Sequence, residues 1–119
     1  MISFIVPGRP RPKQRPRIGR NGAVYTPRET RDYERFVGWC ALQAMGGEKP
    51  IAGPVALEAL FYFKNCKTPD LDNCIKALLD GLQGVVFQND RQVQKQSYEM
   101  RFDKEERVEV RIWELEEAG

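Results

Sequence analysis

The chain has no histidine among its 119 residues. That absence removes the commonest general base, the serine–histidine triads and the usual imidazole ligands of zinc. Any catalysis must run on carboxylates, lysine, tyrosine or a metal held by oxygen. Cysteine is scarce and odd in number: Cys40, Cys66 and Cys74, without paired spacing. This argues against a disulfide framework and for a reducing compartment. Cys40 and Cys74 fall in helical patterns and read as buried small hydrophobes, and Cys66 as a loop thiol. No apolar run approaches the ~18 residues of a membrane span. The opening "MISFIVPGRPRPK" sets apolar residues ahead of basic ones, the reverse of a secretory signal. The expectation is a cytoplasmic protein without a membrane partner.

What is present suits one small α+β domain, taken as residues 1–119. "ISFIVPG" reads as a first strand with Ile2, Phe4 and Val6 on one face. "GAVYTP" fits a short strand. Thr26, Pro27 and Glu29 resemble an N-cap, a first-turn proline and a capping-box acid, opening a helix that stops at Gly46-Gly47. "PVALEALFYFK" alternates as a strand. A second helix is predicted from about Asp70 to Leu82, with Leu71, Ile75, Leu78, Leu79 and Leu82 within an arc of roughly 100°. Two more strands follow, with Tyr98, Met100 and Phe102 as one inward row and Val108, Val110 and Ile112 as another. The order implies a mixed sheet with two main helices packed against it.

The net charge of +2 hides a polarity. The arm over residues 8–22 carries Arg9, Arg11, Lys13, Arg15, Arg17 and Arg20 without an acid, while residues 103–119 are acidic. An arm of unopposed cations is either a disordered, solvated loop or a track for phosphates. Lys67, with Arg28, Arg31 and Lys64, extends that track. The last residues, "ELEEAG", read as a solvated tail.

The unusual stretch is "TPDLDNCIKALLDGLQGVVFQND". Each of its polar residues has a structural reading. Asp70 suits an N-cap, Asp72 favours the helix dipole, Asp72 and Lys76 suit an i,i+4 pair, and Asp90 suits a turn. Together they also supply the parts of a metal nuclease. Carboxylates from Asp70, Asp72 and Asp90 suit a hard divalent cation. Lys76, one turn beyond Asp72, suits a phosphate oxygen or the charge of a transition state.

Across residues 69–93, "DLDNCIKALLDGL" followed by "NDRQV" resembles the RusA family of Holliday junction resolvases, bacterial and prophage endonucleases. The matching pattern is an Asp-x-Asp-Asn pair, a lysine four residues on, an aspartate four further, and a second acidic cluster before a strand. Asp70, Asp72, Asn73, Lys76, Asp80 and Asp90 agree in type and order. Many relatives place two acids where this chain has Asn89-Asp90. The resemblance implies a homodimeric, Mg²⁺-dependent endonuclease, with Mn²⁺ as a substitute metal. It implies binding to four-way DNA junctions and paired symmetrical nicks in recombination and repair. It gives Asp70, Asp72 and Asp90 the metal-binding catalytic role and Lys76 an auxiliary one, supported by Asn73, Asp80 and Asn89. Lys76 also joins the arm cations as a DNA contact. Two other readings stay open: a nuclease for flaps or forks, and a DNA-binding protein whose acids only cap and pair.

Overall fold

A computed structural model describes residues 1–116. Its elements are β1 (Ile2–Pro7), β2 (Arg17–Ile18), β3 (Val24–Tyr25), α1 (Arg28–Met45), β4 (Val55–Phe63), α2 (Leu71–Leu82), β5 (Val93–Phe102) and β6 (Arg107–Glu114), with a 3-10 turn at Asp90–Gln92 before β5. Residues 117–119 of the expected acidic tail lie outside the described residues.

Four strands form one sheet in the order β1-β6-β4-β5. β6 is antiparallel to both β1 and β4, while β5 runs parallel to β4. A parallel neighbour needs a crossover, which α2 supplies between β4 and β5. The short strands β2 and β3 form a separate hairpin at the end of the basic arm. This is the mixed-sheet, two-helix α+β architecture expected from the element order.

Strand alternation sends Val55, Leu57, Ala59, Phe61 and Phe63 of β4 to one face. They join Val6, Val108, Val110 and Ile112 there, and α1 and α2 cover them with Val37, Ala41, Met45, Leu78 and Leu82. Val86 and Phe87, just past α2, are fully buried and close the lower end of this core. The opposite face carries exposed Ile5 and half-buried Leu60 and Tyr62. Phe102 departs from its expected inward place and is 59% exposed, because β5 is an edge strand and Phe102 is its last residue.

α1 starts one residue later than its sequence signals suggest. Pro27, buried and extended at φ −54° and ψ 146°, holds the N-cap position without a side-chain cap. The expected Thr26 cap is absent. Thr30 is buried instead, and its hydroxyl accepts from the Gln14 N–H of the arm at 3.1 Å. The helix ends as expected, with Gly46 left-handed at φ 59°. α1 and α2 cross in close approach at Gly38 and Gly81. A Cβ on Gly81 would lie 2.8 Å from the Glu34 carbonyl oxygen and from Val37 Cβ.

Candidate active site and nucleic-acid interface

Asp70 ends an extended loop and caps α2, its Oδ1 accepting from the Asp72 N–H at 3.2 Å. Asp70 and Asp72 are both exposed and flank the helix start, where unpaired N–H groups favour negative charge. Lys76 is exposed one turn further on. Among the described residues none of the three makes an ion pair. The Asp72–Lys76 pair of the structural reading is therefore not formed. Cys74, on the opposite side of the same turn, is buried, and burial pushes its thiol up to about 11. Cys40 is buried and Cys66 exposed, and all three thiols are free.

Asp90 opens the 3-10 turn and is exposed. The turn is fixed from both sides. Asn89 Oδ1 accepts from the Arg91 N–H at 2.9 Å. Gln92 Oε1 accepts from the Gln88 and Asn89 N–H groups, while its Nε2 donates to the Ile51 and Gly53 carbonyls at 2.7 and 2.9 Å. Those carbonyls lie just before β4, and Val93 after the turn pairs with Val55 at the start of β4. Asp70 and Asp72 follow the end of β4. Twelve residues of α2 separate the two ends, roughly 18 Å at 1.5 Å per residue.

One chain therefore does not bring Asp90 to Asp70 and Asp72, contrary to the expectation of a single closed pocket. Among the described residues no three acidic or cysteine side chains are gathered closely enough to hold a metal ion. The physical reason is the parallel β4–β5 pair: the chain leaves at one end of the sheet and re-enters at the other. The donor chemistry nevertheless fits a hard cation, since all three carboxylates are exposed and free of ion pairs among the described residues.

The arm divides into an anchored half and a projecting half. Arg9 pairs with Glu106 at 2.5 Å, donates to the Lys67 carbonyl and stacks over the Phe63 ring at 5.1 Å. The Lys13 N–H donates to the Asn73 carbonyl at 2.9 Å, tying the arm to the first turn of α2. The Lys13 ammonium pairs with Asp80 and lies 3.9 Å from Glu34 Oε1. The Asp80 hydrogen bond raises the Lys13 pKa. Burial pushes the Glu34 carboxyl up, against the lowering pull of Lys13, and its Oε1 has no hydrogen-bond donor among the described residues. Asp80 thus partners Lys13 and Gln83, not Lys76. Arg11, Arg15, Arg17 and Arg20 are exposed and make no ion pair among the described residues. The Lys67 side chain is exposed beside the site.

Residues 7–113 match the family model described as endodeoxyribonuclease RusA. The chain belongs to the RusA endodeoxyribonuclease family. It is also 30% identical over 138 aligned positions to the uncharacterized protein YqaN of Bacillus subtilis (strain 168), with 96% of each chain covered. The RusA match takes in the arm, α2 and the Asp90 turn. Among the described residues, no helix of this RusA-family chain is long and apolar enough to cross a membrane.

Sequence reasoning missed three features of the RusA-family site: the Gln92 rivet, the Lys13–Asp80 bond and the β2–β3 hairpin. Gln92 gave no signal, because a glutamine that bonds four backbone groups looks like any surface amide. The hairpin did leave one, a Gly19-Arg20-Asn21-Gly22 run between two apolar residues.

Proposed function

We propose that this chain is a Mg²⁺-dependent nuclease that nicks four-way DNA junctions as a homodimer, each active centre being shared between two copies. The observation that carries this reading is the placement of Asp70 and Asp72 at one end of α2 and Asp90 at the other. A two-fold axis crossing the middle of α2 would set one copy's helix start beside the other's helix end. Phe36, Trp39 and Leu42 form an exposed apolar stripe on α1. Trp39 and Leu42 lie beside Gly81 and Val85, so the stripe offers apolar surface for a second copy alongside the end of α2.

In that arrangement Asp70 and Asp72 of one copy, with Asp90 of the other, hold the cation. A bound ion would supply charge neutralisation at the phosphodiester and a more acidic water. Asp70 keeps its backbone cap while presenting its remaining oxygen. Lys76 faces the phosphate without a competing acid and stabilises negative charge as the bond to the leaving oxygen breaks. Gln92 fixes the turn that carries Asp90, and Asn89 shapes it. Arg11, Arg15, Arg17, Arg20 and Lys67 draw in the phosphates, while Arg9 and Lys13 hold the arm in place. Two centres related by two-fold symmetry fit paired nicks across a junction, the chemistry of recombination and repair in the cytoplasm.

The test is nicking of a synthetic four-way junction, with flaps and forks as comparison substrates, in Mg²⁺ and in EDTA. Asp70→Asn and Asp90→Asn should each be inactive alone. Mixed together, they rebuild one intact centre in each heterodimer and should recover single nicks. No nicking by the wild type would defeat the enzyme reading. Active wild type with no recovery on mixing would defeat the shared centre.

A further inference from the structure

Beyond its anchored half, the arm projects as the β2–β3 hairpin, pairing Arg17 with Tyr25 and Ile18 with Val24. Gly19 N–H donates to Ala23 O at 2.8 Å, and Gly22, at φ 78°, turns the tip. Two strands this short are not stable alone in water. They are held from below, where Gln14 bonds Thr30 and Pro27 is buried.

The composition of the tip is the anomaly. Ile18 is 75% exposed and Val24 68% exposed. As direct cross-strand partners they share one face of the hairpin. Three exposed arginines without ion pairs among the described residues, Arg15, Arg17 and Arg20, lie within three residues of Ile18 along the chain. A protein partner that buried this apolar pair would also have to cover those cations. A nucleic acid offers both surfaces together, phosphates for the arginines and the flat faces of bases for the aliphatic pair. A continuous duplex hides those faces, and opening a base step costs a few kcal/mol. At a branch point the stack is already interrupted and that cost is reduced.

We propose that Ile18 and Val24 form a wedge that packs against the exposed base-pair face at the centre of branched DNA. The pair thereby selects branched over linear substrate. The wedge acts before and apart from the chemical step. It rests on the reading of this chain as a branched-DNA nuclease.

The experiment uses the full chain in EDTA, so that no strand is cut. The probe is a four-way junction carrying 2-aminopurine next to the branch, with a linear duplex of matching sequence as the comparison. The wild type should raise the fluorescence of the branch-proximal base and bind the junction more tightly than the duplex. The double variant Ile18→Ser/Val24→Ser should abolish the fluorescence rise. It should lower junction affinity by about tenfold, the scale of two lost apolar contacts, with duplex affinity and salt slope unchanged because every arginine remains. Both residues lie outside the core, so the melting temperature should not move, and Ile18→Leu/Val24→Leu should restore the wild-type response.

Three results would overturn the wedge. The serine variant could keep the fluorescence rise and the junction preference. It could lose self-association in sedimentation while the fluorescence rise persists, which would assign the pair to a protein interface. Wild type binding junction and duplex equally would remove the branched-DNA reading and the wedge with it.

Discussion

Lys76 stands on the exposed face of α2 with no acid paired to it among the described residues. A lysine so placed adds little to stability, so its removal isolates chemistry from folding. Lys76→Met should leave the melting temperature and junction affinity nearly unchanged. Single-turnover nicking at saturating Mg²⁺ should slow by roughly a hundredfold, the scale of one lost preorganised electrostatic contact. Glu34 presents the reverse case. Burial holds its folded pKa above the ordinary 4.5, so its protonated form favours the fold. That contribution is complete below the unfolded pKa and is lost as pH rises through the folded value. Glu34→Gln should therefore raise the melting temperature near pH 7, and the gain should vanish at about pH 3, below the ordinary glutamate range. Thermal melts across that window check it, and a lower melting temperature near pH 7 would show that attraction to Lys13 outweighs burial. Residue types carried the candidate acids and Lys76 because carboxylates and ammonium groups announce their chemistry. They did not show that Lys13 would be spent on Asp80, since that bond joins groups far apart in sequence.

Among the elements, the α1–α2 crossing governs where the site points. Gly81 lets α2 approach the Glu34 carbonyl and Val37 closely enough that no side chain fits. Gly81→Ala should destabilise the fold by about 1–3 kcal/mol through overpacking, measurable by urea denaturation. The glycine stood in plain view after Asp80, yet glycine in a helix interior reads as a local weakness until the opposing helix is known. The strands and both helices were legible because apolar residues recur at periods of two and of 3.6. The cap of α1 was not, because Pro27, which has no side-chain oxygen to offer, takes the N-cap position in place of Thr26. Phe102 misled because alternation along β5 continues to its last residue, yet an edge strand has no neighbour on its outer side to help bury its end. Of the β2–β3 hairpin, β3 was legible as the short strand in "GAVYTP" and the turn as glycine chemistry, while β2 was too short to show a period.

At the scale of the whole molecule, the parallel β4–β5 pair sets the distance between the two acidic ends. Strand direction was the least legible property, since alternation reads the same for parallel and antiparallel neighbours, and a single Asp90–Asp70–Asp72 pocket was the natural expectation without it. The crossover has a further consequence for a cell that makes this protein. In the proposed dimer with its shared centre, a lone copy would be a latent blade: it could touch DNA but would lack half of its cutting edge. Cutting then depends on the square of the copy number when the protein is dilute, and newly made chains stay harmless to the chromosome until they meet. Under that proposal, the direction of one strand would act as a threshold on damage.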